Sequence, residues 1–165
     1  MKAPNSRSIN AIIFLGCLGL ILVALYMEYS MGLEPCPLCI LQRILILATG
    51  LVSLIAFLVK PQVRGIRIFG LIGIVLSGIG SVLGVRHLWL QSLPEDQAPA
   101  CGPGLEYLID IFTPIEVLKM ILEGDGSCAE VVWTFLGISI PGWTLIGFIG
   151  LILLNITQLL QPRPD

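Results

Sequence analysis

Residues 40–90 decide the fold. Ile40–Val59 reads ILQRILILATGLVSLIAFLV, residues 60–67 read KPQVRGIR, and Ile68–Leu90 reads IFGLIGIVLSGIGSVLGVRHLWL. Two apolar runs flank one short basic link. Each run is long enough for a helix to cross a hydrocarbon core of about 30 Å. Buried helices of a soluble bundle would show a polar face, and these runs show almost none. Ile9–Met27 and Trp143–Leu160 are two further runs of the same kind. The reading is an all-α integral membrane protein, a four-helix transmembrane bundle forming one domain over residues 1–165. Its helices are expected near 9–27, 40–59, 68–90 and 143–160.

Composition agrees. Only 12% of the 165 residues are charged and 56% are hydrophobic, with a mean hydropathy of +0.95. A soluble domain carries about 25% charged residues, so a soluble enzyme and a disordered chain are both disfavoured. A net charge of −2 leaves no basic footprint for nucleic acid. With one histidine, a histidine-rich metal site or haem protein is not expected. The first run follows Lys2 and Arg7 as a signal peptide would. It is too long for a signal core and lacks an A-x-A cleavage site, so it reads as a retained helix.

Basic residues orient the bundle. Lys2, Arg7, Lys60, Arg64, Arg67 and Arg163, six of the nine, fall on one side, the predicted cytoplasm. Ten of the eleven acidic residues fall in the other connections. Both termini are then cytoplasmic, and residues 28–39 and 91–142 face outward, the latter as a long periplasmic loop. Within that loop Thr113-Pro114-Ile115-Glu116 reads as a capped helix start. The helix runs to about Glu123 before Gly124, with Ile115, Leu118, Ile121 and Leu122 as an apolar stripe. This short amphipathic helix either lies in the membrane interface or packs on the bundle. Trp89 and Trp143 suit an outer aromatic belt. Gly80 and Gly84 form a G-x-x-x-G helix contact, and Asn155 is expected to hydrogen-bond another helix.

Four of the five cysteines, Cys36, Cys39, Cys101 and Cys128, lie in the outward segments, where disulfides persist. Cys36-Pro37-Leu38-Cys39 sits at the start of the second span. Pro37 fits the first helical position, which makes Cys36 the cap and Cys39 the third helical residue. Free N–H groups and the helix dipole stabilise an anion there, a setting shared with redox C-x-x-C pairs. Arg43 follows four residues later on the same face. An arginine within a span is a functional candidate, against the plainer reading that it snorkels to lipid phosphate; Gln42 orients a neighbour at most. Haem attachment would need a histidine where Ile40 stands. A zinc site on the four outer cysteines has the ligand count but no second C-x-x-C, and purely structural disulfides are a further alternative. Cys101, on a Pro/Gly-rich loop, and Cys128 could pair across the outer loop as a labile bond, yet four cysteines allow three pairings. Cys17, mid-span, reads as a packing residue, and His87 and Arg86 as interfacial polar residues.

Taken together, Glu34-Pro35-Cys36-Pro37-Leu38-Cys39, Gln42-Arg43, the outer-loop cysteines, Gly126-Ser127-Cys128-Ala129-Glu130 and the downstream Trp133, Phe135, Leu136, Gly137 and Pro141 resemble the bacterial DsbB disulfide bond formation family. The resemblance covers all four helices and both outer loops. It implies an inner-membrane, quinone-dependent protein-disulfide oxidoreductase (thiol oxidase) that reoxidises a periplasmic thioredoxin-fold, DsbA-like partner. Cys36, Cys39, Cys101 and Cys128 would be catalytic, with Cys101 meeting the partner. Arg43 would bind the quinone, ubiquinone or menaquinone, beside Cys39, and no metal is implied. A vitamin-K-epoxide-reductase-like enzyme and a non-enzymatic, disulfide-braced membrane scaffold are the alternatives.

Overall fold

The computed structural model describes residues 5–94, 97, 110–124 and 126–162. Four long helices dominate: α1 (Ser6–Met31), α2 (Pro37–Val59), α3 (Val63–Gln91) and, last in the chain, α6 (Ile140–Leu160). Between α3 and α6 lie α4 (Pro114–Glu123), α5 (Gly126–Ala129) and a hairpin of β1 (Thr134–Phe135) and β2 (Ile138–Ser139). All four long helices are long and apolar enough to cross a membrane.

Each of these helices starts before its apolar core, and at α1 and α2 a side-chain cap fixes the start. The Asn5 side chain caps α1 by accepting from Ser8 N at 2.9 Å. Gly32, at φ 66°, ends the helix in the left-handed region. Cys36 caps α2, and Pro37 takes its first position. Ser139 stands at the cap position of α6, with Pro141 in the first turn.

The bundle packs in the order α1–α2–α3–α6, and the seam between α3 and α6 is the most extensive. Between 22 and 33% of each span is buried within the protein. Leu15, Leu51 and Val82 point outward, as lipid contact requires. Polar residues turn inward instead: Thr49, Ser53, Ser77, Asn155 and Gln158 are all buried. Lipid tails are as apolar as leucine, so such helices associate by close packing and polar contacts. On α3, Gly70, Gly73, Ser77, Gly80 and Gly84 repeat at steps of three and four and are all inward. A Cβ on Gly80 would overlap the Phe148 ring, and one on Gly73 would overlap the Asn155 amide. The expected helix contact is therefore made, against α6. Asn155 differs from expectation: its amide donates to Leu151 O of its own helix at 2.8 Å. The interhelical bond comes from Gln158, which donates to Asn10 on α1 at 3.0 Å. Cys17 is buried in van der Waals reach of Gly50, a packing role.

The described residues between α3 and α6 lie against one end of the bundle. Glu116 accepts from Thr113 N and Oγ1 at 2.9 and 2.8 Å, which fixes the start of α4. The apolar stripe of α4 divides. Ile121 packs toward the bundle beside buried Val117, while Ile115, Leu118 and Leu122 stay exposed. Arg86 donates to Leu122 O and Glu123 O at 3.3 and 3.1 Å, tying the end of α4 to α3, and its guanidinium lies over Trp89. The hairpin turns on Leu136 and Gly137, at φ 53° and 78°, as a two-residue primed turn demands. Trp143 Nε1 donates to Phe135 O at 3.1 Å and anchors it to α6.

Candidate redox site

The head of α2 sets the first pair. Cys36 has extended backbone, so its sulfur folds back over the helix start and accepts from Cys39 N at 3.4 Å. Cys39 lies in the first turn, and the two sulfurs are 3.1 Å apart.

Two distant elements bring further groups to Cys36. His87, near the end of α3, places Nε2 3.7 Å from the Cys36 sulfur. Cys128 on α5 is fully buried, and its sulfur, the Cys36 sulfur and a His87 ring nitrogen lie within 4.8 Å of one another. This corrects the reading of His87 as an interfacial residue. It is 2% exposed and faces inward, because the three-four repeat of glycines on α3 continues to position 87. Extending that repeat by one step was the sequence signal for it. The Cys128 hydrogen bond favours the Cys36 thiolate, but the Cys39 contact and burial outweigh it and push the Cys36 thiol up to about 12.

Arg43 does not snorkel to lipid. Its guanidinium pairs with Glu28 at the end of α1 and donates to Ala24 O at 3.3 Å. In the sequence Glu28 reads as part of the acidic connection between the first two runs. It closes one apolar run at the depth where Arg43 opens another, and that matching depth was the available signal. Gln42 is buried, and its amide nitrogen has no hydrogen-bond partner among the described residues.

Cys36, Cys39, Gln42, Arg43 and His87 line one cleft. It continues through Leu20, Ala24 and Thr144 into an apolar groove between α1 and α6, walled by Gly16, Gly19 and Trp143. A cleft with a few polar groups, Gln42, Arg43 and His87 among them, thus opens into an apolar groove suited to an aliphatic chain. Cys101 lies outside the described residues. The structure brings together Cys36, Cys39 and Cys128, with Arg43 on the same cleft as the first two.

Comparison with known proteins gives a consistent result. Residues 6–158 match the family described as disulfide bond formation protein DsbB. A disulfide bond formation protein B of Saccharophagus degradans is 52% identical over 157 residues, covering 95% of each chain. That of Marinobacter nauticus is 54% identical over 157 residues, 95% of this chain and 94% of the relative. That of Hahella chejuensis is 53% identical over 146 residues, 88% of each.

Proposed function

Because this chain belongs to the DsbB family, it is a multi-pass membrane thiol oxidase of disulfide bond formation, and we propose that it passes electrons from a reduced, DsbA-like dithiol partner through two cysteine pairs to a membrane quinone. The redox groups work on the periplasmic side of the bacterial inner membrane.

The observation that carries this reading is the contact of Cys128 with Cys36 at the head of α2. A reduced partner dithiol attacks the Cys101–Cys128 disulfide, with Cys101 forming the mixed bond. The partner's second thiol then releases it, leaving the partner oxidised and Cys101 and Cys128 as thiols. Cys128 next attacks the Cys36–Cys39 disulfide at Cys36. A Cys36–Cys128 bond forms and Cys39 leaves with the electron pair. Cys101 then closes on Cys128, which restores the loop disulfide and leaves Cys36 and Cys39 reduced. Two electrons and two protons have moved inward. Of the two inner sulfurs, Cys36 is the one whose proton is held more firmly, because the Cys39 contact and burial disfavour its thiolate. Cys39 lies in the first turn of α2, where the helix dipole favours an anion, on the cleft that Arg43 shares.

The residues present suit a quinone. The Gln42 amide nitrogen, without a partner among the described residues, and the Arg43 guanidinium would hold an oxygen of the head group, and the groove between α1 and α6 would hold the tail. When bound, a quinone supplies a lipid-soluble acceptor for two electrons and two protons. Glu28 holds the Arg43 side chain by an ion pair beside the cleft.

Purified chain in nanodiscs, given ubiquinone or menaquinone and a reduced thioredoxin-fold partner, tests the scheme. Cys101→Ser should lose oxidation of the protein partner yet still pass electrons from a small dithiol. Cys39→Ser should stop quinone reduction from either donor. Equal quinone reduction by wild type and Cys39→Ser would sink the electron route.

A further inference from the structure

We propose that the fully reduced protein holds one thiophilic d10 cation, Zn2+ being the typical case, on Cys36, His87 and Cys128, and that the cation blocks it. The site is an inhibitory trap for the reduced state and not a cofactor site.

The donor set is the first argument. Two sulfurs and one imidazole nitrogen from three separate elements lie within 4.8 Å of one another. Tetrahedral zinc has bonds of about 2.3 Å to sulfur and about 2.0 Å to nitrogen. Its ligand atoms are therefore roughly 3.6 Å apart for a nitrogen–sulfur pair and roughly 3.8 Å for two sulfurs. Cys36 Sγ and His87 Nε2 are already 3.7 Å apart. The remaining separations, none above 4.8 Å, lie within about 1.2 Å of those values.

Burial is the second argument. Cys36, His87 and Cys128 are 9, 2 and 0% exposed, so no water shell competes for the sulfurs. A dication with two thiolates and a neutral imidazole is electrically neutral, which removes most of the cost of burying an ion. His87 suits the part, since its Nε2 points at the Cys36 sulfur. The fourth position opens to the cleft that Cys36 and His87 line, which gives the cation a way in and leaves room for a water ligand.

Redox state gates the site. Cys36 offers a thiolate only when its bond to Cys39 is broken, and Cys128 only when its own disulfide is reduced. The cation displaces the thiol protons, and no electron moves. Its effect on turnover rests on the function proposed above, because it occupies the two sulfurs between which exchange takes place. Its binding does not rest on that function, so the two can fail separately.

The test uses the full chain in detergent, reduced and freed of reductant without oxygen, titrated with Co2+ alone and then with Zn2+. Expected are the visible bands of tetrahedral Co2+ with thiolate charge transfer, saturating at one ion per chain and erased by Zn2+. Cys36→Ser and Cys128→Ser should each lose the charge-transfer intensity of one sulfur and bind more weakly by at least the roughly 10- to 100-fold that removing a ligand's outer partner costs. His87→Gln should weaken binding by about ten-fold or more, with helicity checked by circular dichroism. Cys39→Ser should retain the spectrum. The serine variants are near-isosteric and keep the test open if His87→Gln fails to fold. No tetrahedral spectrum in the reduced protein overturns the proposal. So does a spectrum unchanged by Cys36→Ser or Cys128→Ser, or equal binding by the oxidised chain.

Discussion

Replacing Arg43 separates charge from scaffolding. The guanidinium lies on the cleft with Cys39 and Gln42, held there by Glu28 and Ala24 O. Arg43→Ala removes a charge-assisted contact worth about 1.5–3 kcal/mol, which weakens apparent quinone affinity roughly ten- to a hundred-fold. Alkylation of Cys39 should slow as well, since the nearby cation that favours its anion is gone. Arg43→Lys keeps the charge without the planar fork and should fall between. Glu28→Gln preserves volume but removes the counter-charge. The side chains of this pair are 22 and 26% exposed, so solvent screens part of the attraction. Its loss should cost about 0.2–1 kcal/mol, no more than about five-fold in affinity. The bundle should remain folded in Arg43→Ala, because removing a cation from a span relieves a burial cost. The assay is partner oxidation across quinone concentrations, with Cys39 alkylation followed against pH. If Arg43→Ala leaves both the apparent affinity and the alkylation profile unchanged, Arg43 only braces α1 against α2 and has no part in the site.

Three further outcomes are expected. Gly80→Val drives a side chain into the Phe148 ring and should destabilise the α3–α6 seam by about 1–3 kcal/mol; an unchanged thermal midpoint in detergent would contradict the packing account. In intact spheroplasts under reducing conditions, an impermeant thiol reagent should label Cys101 but not a cysteine introduced at Gln62; the reverse pattern would invert the orientation. Hydrogen bonds from Thr113 N and Oγ1 hold the Glu116 carboxyl below its usual range. The cap it provides is thus complete above the ordinary carboxylate value and is lost as pH falls through the lowered one. Amide exchange in α4 should quicken over that acidic window in wild type and show no such step in Glu116→Gln.

The spans, the charge asymmetry between the two ends of the bundle and the capped C-x-x-C were legible in the sequence alone. Hydropathy is a sum over neighbours in the chain, and capping involves residues three or four apart, so neither needs knowledge of the fold. The cap at Thr113 and the proline at the start of α2 belong to the same class. Arg43 was conspicuous because a charge in an apolar run is conspicuous. The hairpin was not, since its turn is Leu136-Gly137 where the strongest signal would have been Asn-Gly.

What surrounds Cys36 and Arg43 was decided by tertiary structure. Cys36 and His87 are 51 positions apart, and Arg43 and Glu28 are 15 apart on different helices. Cys36 meets His87 where α2 packs beside α3, Arg43 meets Glu28 where α1 packs against α2, and the glycine face of α3 fixes the rotation of that helix against α6. That same rotation turned His87 from the lipid boundary toward the cysteines. A sequence lists which groups can ionise, ligate or exchange; only the helix rotations, fixed by side-chain packing across the whole bundle, determine which of them share a cleft.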